Sequence, residues 1–164
     1  MDDNIRFTAD SHFGKVLYEW WQGLDEDRAT RAVLKRCSTL DAVALTAAYQ
    51  HFYRYMLMRG WPADAKDWQK DRLAAIAGLL AHVKSEDTQS LPLAMSEKNG
   101  DNNVVSELRF KGLLKADTID DVFIDLRRVL PLIGKKADIY QLAKDVYYWN
   151  DNTKKQWAYS YRWA

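Results

Sequence analysis

One cysteine, three prolines and seven glycines are all that the 164-residue chain holds of the residues that staple, break or loosen a backbone. Cys37 stands alone, so no internal disulfide forms, which fits a reducing compartment. No apolar run reaches the length of about 18 residues that a membrane-spanning helix needs. The start, Met1-Asp2-Asp3-Asn4, lacks the basic region and apolar stretch of a secretory signal. These absences predict a cytoplasmic protein that makes no membrane contact. An excess of one charge is missing too. The 24 basic and 23 acidic residues leave a net charge of +1, which by itself gives no sign of a polyanionic partner.

The motifs of common catalytic sites are also missing. There is no G-x-G-x-x-G and no Walker-type loop to cradle a nucleotide phosphate. His12, His51 and His82 lie far apart and lack the H-x-x-x-H spacing of a helical metal site, so each is read as a surface or satisfied core histidine. Cys37 has no histidine near it in sequence. The acidic runs Asp25-Glu26-Asp27 and Asp120-Asp121, with Asp125, are explained by the first turns of helices, where the positive end of the helix dipole favours carboxylates. No catalytic residue, metal ligand or cofactor is predicted.

What the chain does have is helical periodicity. Apolar residues are 48% of it, tryptophan occurs seven times, and large aromatic side chains fill a small core efficiently. Val16, Leu17, Trp20, Trp21 and Leu24 form one apolar stripe, with Asp10 or Ser11 as a cap and Gly23 near the end. A second helix follows the acidic run and carries Arg28, Arg31 and Lys35 at i, i+3, i+7, a basic edge. A third is predicted over 41–58, ended by Gly60-Trp61-Pro62, and a fourth over 65–83 with Trp68, Leu73, Ile76, Ala77 and Leu80 facing inward. Gly78, inside it, marks close helix packing. Residues 85–103 are polar, lack a sustained period, and read as a connection with a short helix near 91–95. Helices are expected again over 104–115, from Thr118 with a capping-box-like start, along the stripe Ile139, Leu142, Ala143, Val146 and Tyr147, and from Thr153 to the end. Pro131 should end or kink the second of these. The predicted fold is all-α: an N-terminal bundle over 1–84, a linker over 85–103 and a C-terminal bundle over 104–164.

Charge along the chain is not even. Net charge is −5 over 1–27, +5 over 28–72, −2 over 73–104 and +3 over 105–164. Local fields rather than the total attract a polyanion. Ordinary solvated helix faces account for the same blocks. The basic residues that stand among aromatics or outside core-facing stripes are Lys35, Arg36, Arg54, Arg59, Arg109, Lys111, Lys115, Arg127, Arg128 and Lys144. An arginine fork binds phosphate bidentately at any relevant pH, although Arg127 and Arg128 have Asp121 and Asp125 as rival partners on their own helix.

The order of short motifs carries a resemblance. Phe13-x-x-Val16 leads to Glu19-Trp20-Trp21-x-x-Leu24, then to Asp27-Arg28-Ala29, Leu34-Lys35-Arg36-Cys37 and Phe52-Tyr53-Arg54. Leu73 to Val83 follows, then Ser106-Glu107-Leu108-Arg109-Phe110-Lys111-x-Leu113-Leu114, Leu126-Arg127-Arg128-Val129-Leu130, Tyr148-Trp149-Asn150-Asp151 and Lys155-x-Trp157-Ala158. The set resembles the CasB family, the small subunit of the type I-E CRISPR surveillance complex Cascade. The resemblance implies an all-α, non-catalytic subunit, two copies of which lie head to tail beside the other Cascade subunits. It further implies contact with guide RNA, target DNA and the displaced non-target strand, stabilising the R-loop in antiviral defence. The family's basic surface residues map onto Lys35, Arg36, Arg54, Arg109, Lys115, Arg127 and Arg128, with Lys144 a weaker match. Lysine stands at 35 where the family usually has arginine, which keeps the charge and loses the bidentate fork. Residues 85–103 match poorly and receive no role. Two other readings stand beside this one: a helical protein–protein adaptor, and a small enzyme using Cys37 or a histidine.

Overall fold

The computed structural model describes residues 5–164; Met1 to Asn4, read above for a signal, lie outside the described residues. The fold is all-α, with only two-residue strands between its helices. Among the described residues there are ten α-helices: α1 (His12–Gly23), α2 (Arg28–Arg36), α3 (Leu40–Ala44), α4 (Ala47–Met58), α5 (Asp67–Leu80), α6 (Leu91–Met95), α7 (Glu107–Leu114), α8 (Ile119–Val129), α9 (Ile139–Tyr147) and α10 (Asp151–Ser160). No helix of the described residues is long and apolar enough to cross a membrane.

Polar caps set most of the boundaries. Ser11 accepts from the Gly14 amide at the start of α1, Asp27 from Thr30 at α2, Ser106 from Arg109 at α7, and Thr118 from Asp121 at α8. Each such cap satisfies an amide left without a partner by the first turn. The helix expected over 41–58 is two helices. Thr46 takes the Tyr49 amide on its side-chain oxygen at 3.0 Å and starts α4 afresh, with Leu45 left exposed at the break. The helix expected from 104 is capped by Ser106 and begins at Glu107, and the last helix ends at Ser160. Tyr161 and Trp163 fold back onto Phe110, Tyr161 stacking on it at 4.1 Å. Pro131 acts as expected: α8 stops at Val129 and a 3-10 turn follows over Leu130–Ile133.

α5 is the axis. From Leu73 to Leu80 every residue is buried, and the helix packs against α3, α8 and α9. Gly78 is where α8 comes closest: a β-carbon there would lie 2.8 Å from Phe123 and 3.1 Å from Val43. Trp68, expected inside, is 41% exposed; its ring sits at the edge of Tyr147 with the Arg72 guanidinium over it. Indole and phenol groups tie remote segments together. Trp21 donates to the Val83 carbonyl at 2.8 Å, Trp149 to Ala116 at 2.9 Å, and Tyr161 to Val105 at 2.6 Å.

Residues 85–103 carry α6, whose Leu91, Ala94 and Met95 are buried, and three two-residue strands: β1 (Ser85–Glu86), β2 (Lys98–Asn99) and β3 (Asn102–Asn103). β2 and β3 form a hairpin, and β1 pairs in parallel with β4 (Lys136–Ala137), Ser85 opposite Lys136. That last pairing brings the end of α5 beside the turn after α8.

Candidate nucleic-acid interface

α2 is polar on most of its surface, with Leu34 its one buried side chain. Lys35 and Arg36 occupy its last turn, where the negative end of the helix dipole favours cations. Arg28, Arg31 and Lys35 lie along one edge, as their spacing predicts, and line an open concavity with Leu24, Asp25, Ala32 and Lys84. Asp25 pairs with Arg31 at 3.1 Å.

Lys84 enters this face from the end of α5. Its amide donates to the Lys135 carbonyl at 2.7 Å. Lys135 itself holds a left-handed backbone, φ +58°, directly after Gly134 at φ +81°. A lysine in that region is strained, and the strain is held by bonds at both of its peptide groups, since the Lys135 amide also donates to Leu130 at 3.0 Å. From α8, Arg127 crosses to α2 and donates from Nη2 to the Lys35 carbonyl at 3.1 Å. Its rival partners Asp121 and Asp125 are not used: among the described residues the only ion pairs are Asp25–Arg31 and Asp117–Lys154.

Four segments thus converge on one seam of cations: Arg31 and Lys35, then Lys84, then Arg127, then Lys135. Like charge leaves its mark on two groups. Burial, then Lys135, Lys84 and Arg31, push the Lys35 ammonium below the ordinary lysine range. Burial, then Arg127, Lys35 and Lys135, push His82 down to about 4. The Nε atoms of Arg31 and Arg127 and Nε2 of His82 are buried without a hydrogen-bond partner. Such a seam favours an anion, which would relieve repulsion between cations already partly stripped of water.

A second set forms on the α7–α8 side. Arg109 and Arg128 line a groove with Ser106, Leu108, Gly112, Asp125 and Val129. Burial raises the Asp125 carboxyl above its usual range, Arg128 opposes this, Asp121 adds to it, and Arg109 opposes it again. The remaining predicted residues stand apart from both sets. Arg36 is exposed beside Cys37, Arg54 is exposed on α4, Lys115 is exposed at the end of α7, and Lys144 is exposed on α9. Lys84 and Lys135 were not singled out from the sequence. The signal available there was the basic pair Lys135-Lys136 directly after Gly134.

The residues considered for chemistry lie elsewhere or are occupied. Cys37 donates to the Val33 carbonyl at 3.3 Å, and burial raises its thiol against the opposing effect of Arg127 and Arg36. His12 Nε2 sits 2.6 Å from the Arg59 carbonyl, tying α1 to the end of α4. Among the described residues, no group of three or more His, Cys, Asp or Glu side chains is placed to hold a metal ion.

An all-helical protein with a cation-lined seam is the class that fold and surface define. The model of one family, CRISPR-associated protein Cse2, matches residues 30–161, and the chain belongs to that family. This is the family named CasB above, whose members are the small structural subunit of type I-E Cascade, a multisubunit CRISPR complex. The matched segment runs from within α2 through α10, with every basic residue carried over from the resemblance; the motifs from Phe13 to Ala29 precede it. No curated protein matches the chain.

Proposed function

We propose that the chain acts within Cascade as a non-catalytic clamp on nucleic-acid backbone, holding guide RNA, target DNA and the displaced strand and so stabilising the R-loop. In this reading it works in the cytoplasm, beside other Cascade subunits and a second copy of itself. The observation that carries it is the seam of Arg31, Lys35, Lys84, Arg127 and Lys135, whose open concavity holds one carboxylate, Asp25, already paired with Arg31. Arg109 and Arg128 add a second groove between α7 and α8, which they share with Asp125.

The physics of strand exchange makes such a clamp effective. An RNA–DNA duplex is about as stable as the DNA duplex it replaces, so modest backbone contacts tip the balance. Contacts to phosphate carry no base information, so binding is expected to be indifferent to sequence. Each phosphate neutralised adds about 0.9 to the slope of log affinity against log salt for duplex DNA, and about 0.7 for single strands. No nucleophile is required.

The test is binding of the full chain to labelled single- and double-stranded DNA across a salt series, with Arg54→Ala, Arg109→Ala and Arg128→Ala beside the unaltered protein. Salt-sensitive binding, equal across sequences and weakened in Arg109→Ala and Arg128→Ala, is the expected result. Equal affinity and slope in all four proteins would remove the α7–α8 groove from the interface.

A further inference from the structure

His82 lies just past α5 and is 8% exposed, with Nε2 buried and unpartnered. Buried polar atoms are nearly always paired, so one that is not calls for a reason. The charged groups that face it come from three other elements: Arg127 from α8, Lys35 from α2, and Lys135 from the turn before β4. No carboxylate is among them. Arg127 already spends one nitrogen on the Lys35 carbonyl, and its own Nε is also buried and idle. The imidazole therefore lies two residues before Lys84, whose amide bonds the Lys135 carbonyl, and three cations around it repel any further positive charge.

We propose that His82 takes up a proton from solvent when a phosphate of bound nucleic acid occupies the seam formed by Lys35, Arg127 and Lys135, so that backbone binding at this face is proton-coupled. This rests on the nucleic-acid reading of the same seam and adds a titrating group to it. The sign follows from the surroundings. In the free protein, burial and the three cations keep the ring neutral down to about pH 4. A phosphate dianion or diester above the seam neutralises the cations and removes the repulsive part of that penalty. Between the free and bound titration points, the complex holds one more proton than its separated parts. Affinity then rises as pH falls, by up to about tenfold per pH unit. Above the bound titration point the dependence is flat.

The experiment measures binding of the full chain to a mixed-sequence single-stranded DNA at constant ionic strength, from about pH 4.5 to 7.5. It compares the unaltered protein with His82→Gln and His82→Leu. His12 and His51 are present in all three proteins, so the difference isolates position 82. The expected result is an affinity gain of about three- to tenfold on acidification that both variants lack, with affinities within about twofold of one another at pH 7.5. In parallel, the NMR titration of the His82 ring should move to higher pH when DNA is added; this readout needs no variant and stands if either substitution unfolds the chain. The same pH slope in all three proteins, or a ring titration unmoved by DNA, overturns the proposal while leaving the clamp intact. Failure to bind DNA at every pH overturns both.

Discussion

The two ends of α5 stand in opposite fields. At its far end lies the seam of Lys35, Lys84, Arg127 and Lys135. Near its start lies a groove lined by Asp41, Asp67 and Asp71, with Tyr49 and Tyr53, in which Lys70 is the one cation. The two mirror each other in their titration. Lysine neighbours help to push the Lys35 ammonium down, and Asp120, Asp67 and Asp41, after burial, push the Asp71 carboxyl up. A net charge of +1 therefore conceals two regions of like charge held apart. Gathering like charges weakens a fold, and intermingling them would have been easier on stability. Their separation sets fields of opposite sign at the two ends of one helix. The basic seam suits a polyanion; the acidic groove repels one.

The largest test of this contrast reverses one region and neutralises the other. Lys84→Glu with Lys135→Glu should lower affinity for single-stranded DNA at least about tenfold and flatten the salt slope by about 1.4, the share of two phosphates. Asp41→Asn with Asp71→Asn should leave affinity within about twofold. Equal losses from both pairs, measured by fluorescence anisotropy, would erase the distinction.

A smaller effect separates the two regions by stability. His82 titrates lower in the fold than in the unfolded chain, so its contribution is fully present above about pH 6.5 and is lost as pH falls toward about 4. Discounted for partial exposure, the loss is on the order of 1–2 kcal/mol. Urea midpoints at pH 7 and pH 5 should therefore drop less in His82→Leu than in the unaltered protein. Asp71 has the opposite sign, because its carboxyl titrates higher in the fold. Asp71→Asn should stabilise the protein by a few tenths of a kcal/mol at pH 7, and the gain should fade as pH falls through the raised titration point. A gain that grows with acid would contradict the like-charge account of the groove.

Much of the fold was legible in the sequence because local signals carried it. The stripe through Trp21, the caps Ser11 and Thr118, the stop at Pro131 and the close approach at Gly78 each follow from a few neighbouring residues. The break at Thr46 was hidden by apolar residues that continue the helical period across it, while a single hydroxyl decides the matter by taking the Tyr49 amide. Trp68 follows the inward period of α5 but lies on its first turn, where Tyr147 covers only part of the ring. The basic edge of α2 and the arginines of α8 were also legible, but their meeting was not. Arg127 had Asp121 and Asp125 on its own helix and uses the Lys35 carbonyl instead, which only the packing of both α2 and α8 against α5 provides. Lys84 and Lys135 are joined by a two-residue parallel strand pair, too short to leave any periodicity. The unpartnered nitrogen of His82 is likewise a property of the seam and of no motif.

As a clamp, the seam would hold nucleic-acid backbone inside the assembled complex. Its most direct test is the lifetime of the R-loop formed by Cascade reconstituted with the Lys84→Glu, Lys135→Glu chain, after confirming that this chain still assembles. A complex that assembles fully yet releases target DNA several-fold faster than the unaltered one is the predicted result. An R-loop lifetime unchanged by reversing both charges would contradict the claim.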